Sequence, residues 1–138
     1  MTSPSWLQDD LFQARLLAVA MGVFCVVGPG LGHMLVPELA IDLSGLGVPG
    51  STSHLLNTSL GLRNLMLGLL LIWLGAHGRP TYLMAVGLAA LVLSTSDLLV
   101  ARALWPGKLQ VLASHAMGIG SGLLLIFLAR PRGDVPPA

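Results

Sequence analysis

The sequence predicts an all-α, polytopic membrane protein in which four transmembrane helices form one bundle. Hydrophobic residues make up 54% of the 138 residues and charged residues only 9%, whereas a soluble domain carries about 25% charged residues. Four stretches reach the roughly 20 mostly apolar residues that a helix needs to cross the hydrocarbon. Short connections join the second, third and fourth stretches, as expected for antiparallel neighbours in a bundle.

The expected spans divide the chain into three parts. They cover residues 16–36, 55–75, 82–101 and 109–129. An amino-terminal segment, 1–15, precedes the transmembrane domain, 16–129, and a tail, 130–138, follows it. We expect this tail and Met1–Asp10 to be flexible. The first apolar run follows Arg15 as in a signal peptide, but it has no small-x-small cleavage site and is long enough to span, which favours a retained helix.

The positions of arginine and lysine predict the orientation. One side of the bundle would hold Arg15, Arg79, Arg130 and Arg132, and the other Arg102 and Lys108. Because positive residues favour the cytoplasmic side, we expect both termini in the cytoplasm, in a plasma or inner membrane.

The connection from Pro37 to His54 is predicted not to be one regular helix. It contains Gly45, Gly47, Pro49 and Gly50, which interrupt helices. It is also apolar for a solvated loop, so we expect it either to lie on the membrane face or to fold over the mouth of the bundle. Caps for the second span would come from Ser51, Thr52 and Ser53.

Small residues predict where helices approach closely. Gly28 and Gly32 form one small-x-x-x-small pair, and Gly118 and Gly122 form another. They would seat the first and fourth spans against each other or, alternatively, join copies of the chain in a homo-oligomer. Pro29 removes a backbone donor and should kink or loosen the first helix.

Polar residues from all four spans are predicted to share one layer in the outer half of the membrane. At the rise of an α-helix, His33 and Asp97 lie roughly 5–6 Å below the outer helix ends and His115 roughly 9 Å. Arg63 and Asn64 lie roughly 12–14 Å down, and arginine can snorkel upward. A charge in hydrocarbon is costly unless it is paired. We therefore expect an ion pair between Arg63 and Asp97, with Asn64 and His115 completing its hydrogen bonds.

Two interpretations of this layer stay open. In one, the ion pair only fixes the register of the helices. In the other, the layer is a site for acid–base chemistry of the isomerase or cyclase type on a lipophilic small molecule. The catalytic residues would be Asp97, His115 and Arg63. The substrate-binding residues would be Asn64, His33, Ser114 and Thr95. Substrate would enter from the lipid under the 37–54 segment.

Two other functions compete with this one: a structural or accessory subunit of a membrane complex, and a small oligomeric transporter. The expected partners are therefore the lipid bilayer, a lipophilic small molecule and further copies of the chain. No cofactor and no metal are predicted, because the histidine spacing matches no metal site and no glycine-rich phosphate loop is followed by lysine. Nucleic acid is not expected, since the net charge is +1 without a basic stripe. Cys25 is read as a small buried hydrophobe.

The run from Gly61 to Gly68, with Asp97 and later His115, resembles a family of small four-helix membrane proteins of bacteria and fungi, broadly similar to the DoxX-like group. Their usual pattern is Gly-x-Arg-Asp-x-x-x-Gly on the second helix, then Asp on the third and His on the fourth. The resemblance implies the four-helix architecture and a shared polar centre, and it implies no reaction. Asn64 stands where the family usually has an acid, so Asp97 would be the acid left within the membrane.

Overall fold

The computed structural model describes residues 5–46 and 54–130, with side chains from residue 9 onward. Within these residues the chain is helical, which confirms the all-α class. The α-helices are α1 Ser5–Cys25, α2 Leu31–Leu35, α3 Pro37–Ser44, α4 His54–His77, α5 Pro80–Leu104 and α6 Leu109–Ala129, with a π-helical turn at Val26–Gly30.

Four helical stretches are long and apolar enough to cross a membrane, as predicted. Spans 1 to 4 are Asp9–Leu35, His54–His77, Pro80–Leu104 and Leu109–Ala129. The protein is therefore an integral membrane protein. Helix α1 begins at Ser5, inside the segment Met1–Asp10 that we expected to be flexible. No glycine or proline lies between Ser5 and Arg15 to interrupt the helix.

The bundle has two ends, which we name from the chain. The terminal face holds the start of α1, the connection between α4 and α5, and the end of α6. There Arg15 donates a hydrogen bond to the Gly78 carbonyl at 3.2 Å. The loop face holds α3 and the turn between α5 and α6. There Lys108 lies 3.4 Å from the Asp42 carboxylate and 4.4 Å above the Trp105 ring.

The spans pack as two close pairs, α1 with α4 and α5 with α6, whereas α4 and α5 touch little. In the first pair the backbones meet at Gly22 and Gly68. A Cβ added to either residue would lie 2.6 Å from the carbonyl oxygen of the other. Gly61, Gly68 and Gly75 all face span 1. Their spacing keeps one small face along the helix, which allows this close approach.

The glycines predicted to join spans 1 and 4 have other neighbours. A Cβ on Gly122 would lie 3.1 Å from the backbone of Gly87, and one on Gly118 would strike the Ser94 side chain, so both face span 3. A Cβ on Gly28 would meet only a ring of its own helix. The prediction that these motifs seat span 1 against span 4 is therefore wrong. Motif spacing identifies a small face but not the helix that lies opposite it.

All four spans meet in one apolar core in the half of the bundle nearer the terminal face. Its buried members are Ala14, Ala18, Leu71, Leu74, Leu83, Val86, Leu125 and Ala129. Each span contributes two of them, so the four helices are held together at this end. The predicted polar layer lies in the other half.

Span 1 changes helix type at the Gly-Pro-Gly sequence. Residues Val26–Gly30 form a π-helical turn in which the Leu31 N–H reaches the Val26 carbonyl. Pro29 has no N–H to donate, and the wider turn passes over it. The prediction that Pro29 loosens the first helix is confirmed.

The connection after span 1 folds over the mouth of the bundle, one of its two predicted arrangements. Its helix α3 ends at Gly45, whose φ is 67° and whose N–H donates to the Ile41 carbonyl at 2.7 Å, a left-handed helix cap. Leu46 then packs in an apolar cluster with Ala101 and Val111. The caps predicted at 51–53 and the tail after Arg130, with Arg132, lie outside the described residues.

The close contact at Gly68 provides a stability test. We expect Gly68→Ala to lower the free energy of unfolding by about 1–3 kcal/mol, because the added methyl group forces two backbones apart. Gly120→Ala is the matched control, since a Cβ there meets nothing within 4 Å. Unfolding by sodium dodecyl sulfate in mixed micelles measures both variants, and an equal response would contradict this account of the helix pair.

Candidate functional site

Arg63 of α4 and Asp97 of α5 form the predicted ion pair. Arg63 Nη1 lies 3.0 Å from Asp97 Oδ1 and Nη2 lies 2.6 Å from Oδ2. This two-pronged geometry uses the matching shapes of the guanidinium and the carboxylate. The side chains are 34% and 18% exposed, so the carboxylate is the more enclosed partner.

The two residues are closer in depth than their sequence positions predicted. The third helix continues to Leu104 instead of ending near Ala101, so Asp97 lies roughly 10 Å below its end. Arg63 lies roughly 13 Å below the start of α4 at His54. The two side chains therefore meet without a long upward reach by the arginine.

Asn64 and His115 do not complete the hydrogen bonds of this pair, contrary to the prediction. Asn64 Nδ2 donates to the Leu60 carbonyl of its own helix at 2.9 Å. His115 Nε2 lies 2.8 Å from the Ser44 carbonyl at the end of α3. The nearest available acceptors were backbone oxygens, whose positions depend on the local fold and not on residue depth.

His33 lies between two carbonyl oxygens. Its Nδ1 is 2.8 Å from the Pro29 carbonyl and its Nε2 is 3.2 Å from the Leu46 carbonyl. The Ser44 hydroxyl, 3.4 Å from Nε2, donates its own proton to the Ala40 carbonyl. All three partners of the ring therefore accept, and both carbonyl bonds form together only when the imidazole is protonated. A neutral ring makes one of them.

The two histidines bond the carbonyl oxygens of Ser44, the last residue of α3, and of Leu46 just after it; we call these two bonds the histidine cap. A helix leaves its last carbonyl oxygens without partners within the helix, and in hydrocarbon each unsatisfied group costs several kcal/mol. His115 donates to Ser44 and His33 reaches Leu46, while the Ser44 hydroxyl bonds the Ala40 carbonyl. His33 is buried, with 2% of the residue exposed. Spans 1 and 4 thereby hold α3 in place.

Beneath α3 the spans enclose a partly open cavity of about 570 Å³. Most of its walls are apolar. Its polar lining comes from His33, Ser44, Asn64, Ser94, Asp97, Ser114, His115 and Ser121. Large apolar side chains that line it and are more than half exposed mark its mouth: Phe24, Val27, Leu39, Leu43 and Met117. The mouth therefore lies between spans 1 and 4, beside α3.

Besides Asp97 and His115, three of the predicted site residues line the cavity, and a fourth lies close to it. Asn64, His33 and Ser114 line it, although the Ser114 hydroxyl is occupied by the Val111 carbonyl. Arg63 is not in the lining and touches it only through Asp97.

Thr95 does not belong to the site, and its predicted role in substrate binding is wrong. It is exposed, and its hydroxyl donates to the Leu91 carbonyl at 2.8 Å. Its neighbour Ser94 lines the cavity instead, together with Ser121. Helical rotation identifies Ser94, because it precedes Asp97 by three residues and shares its face, whereas Thr95 precedes it by two.

Three of the four glycines predicted as contact motifs also line this space. Gly28, Gly32 and Gly118 line the cavity, whereas Gly122 is not in its lining. The absence of side chains at the three lining glycines leaves room there. Within the ranges 5–46 and 54–130, no group of three or more histidine, cysteine or acidic residues has the arrangement of a metal site.

Comparisons with protein-family models, curated proteins and solved structures find no match. The resemblance to the small four-helix family therefore stays a prediction.

The ion pair yields a test of stability. We expect Asp97→Leu alone to lower the free energy of unfolding by about 2–3 kcal/mol, because it leaves the Arg63 guanidinium without a counter-charge. The double variant Arg63→Leu/Asp97→Leu should recover most of this loss, since no charge is left unpaired. Thermal unfolding in nanodiscs measures both. A double variant as unstable as the single one would show that the ion pair stabilises the bundle by more than the mutual neutralisation of its two charges.

The histidine cap yields a test of local order. We expect His33→Leu to speed amide hydrogen exchange at the end of α3 about tenfold, because the hydrogen bond that ties the adjoining Leu46 to span 1 is lost. Exchange in α5 and α6 should stay unchanged. His77→Leu is the control, since His77 is exposed and its recorded contacts are with the carbonyl and the ring of Trp73 in its own helix. Unchanged exchange in α3 of the His33 variant would contradict the cap.

Proposed function

We propose that this protein binds a lipophilic small molecule from the bilayer in the cavity beneath α3. The observation that carries the proposal is the cavity itself, about 570 Å³ with mainly apolar walls and a few polar side chains. Its volume falls in the range of roughly 300–1,000 Å³ typical of small-molecule sites, which combine the same two kinds of surface.

The position of the mouth supports entry from the lipid. Phe24 and Val27 of span 1 and Met117 of span 4 line the opening and are exposed. Spans 1 and 4 meet at the apolar core near the terminal face, so the opening is confined to the loop half. An apolar molecule reaches it by moving sideways within the membrane, under α3.

Acid–base chemistry of the isomerase or cyclase type is a second candidate, and it rests on one further observation. The Asp97 carboxylate and the His115 imidazole line the same cavity, so both can touch one substrate. They form no ion pair with each other in the described chain, since Asp97 pairs with Arg63 and His115 with the Ser44 carbonyl. A substrate would therefore have to stand between them, with Asp97 as a proton acceptor.

A structural role for the ion pair is supported by its place in the bundle. It joins α4 and α5, which otherwise make few contacts. The pair can fix this helix register and still present Asp97 to the cavity. The transporter, the membrane complex and the homo-oligomer stay predictions, because no contact of the described residues favours one of them.

The cytoplasmic location of both termini is part of the proposal. Arg15, Arg79 and Arg130 lie at the terminal face, and Arg102 and Lys108 at the loop face. The excess of positive residues favours the terminal face as the cytoplasmic one, in a plasma or inner membrane. The mouth of the cavity then opens into the outer leaflet.

Photolabelling tests the binding proposal. A long-chain alcohol carrying a diazirine is added to the protein in nanodiscs, irradiated, and mapped by tandem mass spectrometry. We expect labels on cavity residues such as Met21, Leu67 and Leu71, of which Leu71 is fully buried. Gly28→Phe, which fills the cavity, should reduce this labelling about tenfold or more, because the bulky ring occupies the ligand's volume.

The matched control is Gly120→Phe, where a new side chain starts in open space. It should leave the cavity labels unchanged. Ala20→Phe, a second substitution in the cavity lining, covers the case in which Gly28→Phe disturbs the π-helical turn. Labels confined to outward-facing residues in the parent protein would reject the proposal.

A further inference from the structure

The polar groups of the cavity differ in what they can offer a ligand. The His33 ring is occupied by acceptors on both sides, and the Ser114 hydroxyl donates to the Val111 carbonyl. Neither therefore offers a proton to a bound molecule without losing an existing bond. The Ser44 hydroxyl is also occupied, because it donates to the Ala40 carbonyl and accepts from the Leu46 N–H. The groups that remain are Asp97, His115, Asn64 and the hydroxyls of Ser94 and Ser121.

Asp97 offers only acceptor sites. An ionised carboxylate can accept about four hydrogen bonds and donates none. Arg63 supplies two, one to each oxygen, and no other side chain or backbone group in the described ranges bonds to this carboxylate. Asp97 lines the cavity and its side chain is 18% exposed. The carboxylate therefore has unused acceptor capacity beside the ligand volume.

His115 offers an acceptor as well. Its Nε2 faces the Ser44 carbonyl, which can only accept, so this nitrogen carries a proton. In the neutral ring the other nitrogen, Nδ1, then holds a lone pair. Nδ1 has no hydrogen-bond partner among the residues described. His115 is 8% exposed and lines the same cavity as Asp97.

The remaining polar groups do not discriminate between a ligand that donates a hydrogen bond and a ligand that accepts one. Hydroxyls such as those of Ser94 and Ser121 both donate and accept. Asn64 has used one N–H on the Leu60 carbonyl and keeps one N–H and its oxygen. The selective groups are therefore Asp97 and His115, both acceptors and one of them negative.

We propose that the ligand carries a hydroxyl group that donates to the Asp97 carboxylate or His115 Nδ1, so that the site takes a lipophilic alcohol and rejects its ether and its carboxylate. This inference rests on the proposed function, because it names the polar group of the molecule bound in that cavity. A methyl ether cannot donate, and a carboxylate ligand would bring a second negative charge towards Asp97. An apolar chain on the alcohol would fill the rest of the cavity.

The test uses three forms of one long-chain diazirine probe: the alcohol, its methyl ether and the corresponding fatty acid at a pH where it is ionised. Labelling of cavity residues is measured against probe concentration in nanodiscs. We expect the alcohol to bind at least about tenfold more tightly than the ether. Losing one hydrogen bond to a charged or strong acceptor weakens binding by about this factor. The fatty acid should bind more weakly than the alcohol.

The outcomes separate the two proposals. Equal binding of alcohol and ether in the cavity, abolished by Gly28→Phe, would overturn the hydroxyl preference and leave lipophile binding standing. Tighter binding of the fatty acid would also overturn it. Absence of cavity labelling by every form would reject the binding proposal itself.

A variant ties the preference to its residue. In Arg63→Leu/Asp97→Leu the cavity loses its carboxylate without leaving an unpaired charge. We expect the ratio of alcohol to ether affinity to fall at least threefold, while the ether binds as in the parent protein. If unfolding assays show this variant to be unstable, Arg63→Met/Asp97→Leu is measured instead, since methionine keeps more of the length of the arginine side chain and no charge is left unpaired. An unchanged ratio in the folded variant would overturn the role of Asp97.

Discussion

The Arg63–Asp97 ion pair joins two halves of the bundle that otherwise share little surface towards the loop face. Glycine contacts hold α1 close to α4 and α5 close to α6, and the apolar core unites all four spans only near the terminal face. Towards the loop face, the charges must neutralise each other across α4 and α5, because neither is tolerated alone in hydrocarbon. The two helix pairs are joined near the loop face by the side chains of Arg63 and Asp97. The cavity opens between spans 1 and 4 in the same half of the bundle.

The roof of this cavity follows from a similar constraint on the backbone. Helix α3 ends within the bundle mouth, where its last carbonyl oxygens lack partners within the helix. His115 of span 4 bonds the carbonyl of Ser44, and His33 of span 1 bonds the Leu46 carbonyl just after the helix. Their burial is thus accounted for by the end of a short helix, and the same two bonds fix α3 above the ligand volume.

The sequence predicted the features that depend on local composition or on the chemistry of a single residue. Four apolar lengths predicted the spans, Pro29 predicted the irregular turn, and the cost of a lone charge predicted the ion pair. Depth alone placed Thr95 beside Asp97, whereas rotation of about 100° per residue puts it on another side of the helix and brings Ser94 to the cavity. The neighbours of the glycines, and the carbonyl oxygens that His33 and His115 reach, depend on how helices are arranged around the bundle, which no local pattern contains.

The size of the cavity limits what can occupy it. The cavity is about 570 Å³ and partly open to the side, so a lipid chain can enter and fill the apolar walls. A plain hydrocarbon chain would still leave the acceptors of Asp97 and His115 without donors. A chain that carries one hydroxyl group fills the same apolar walls and donates to one of these acceptors, and this makes the amphiphilic occupant more favourable than a plain hydrocarbon chain.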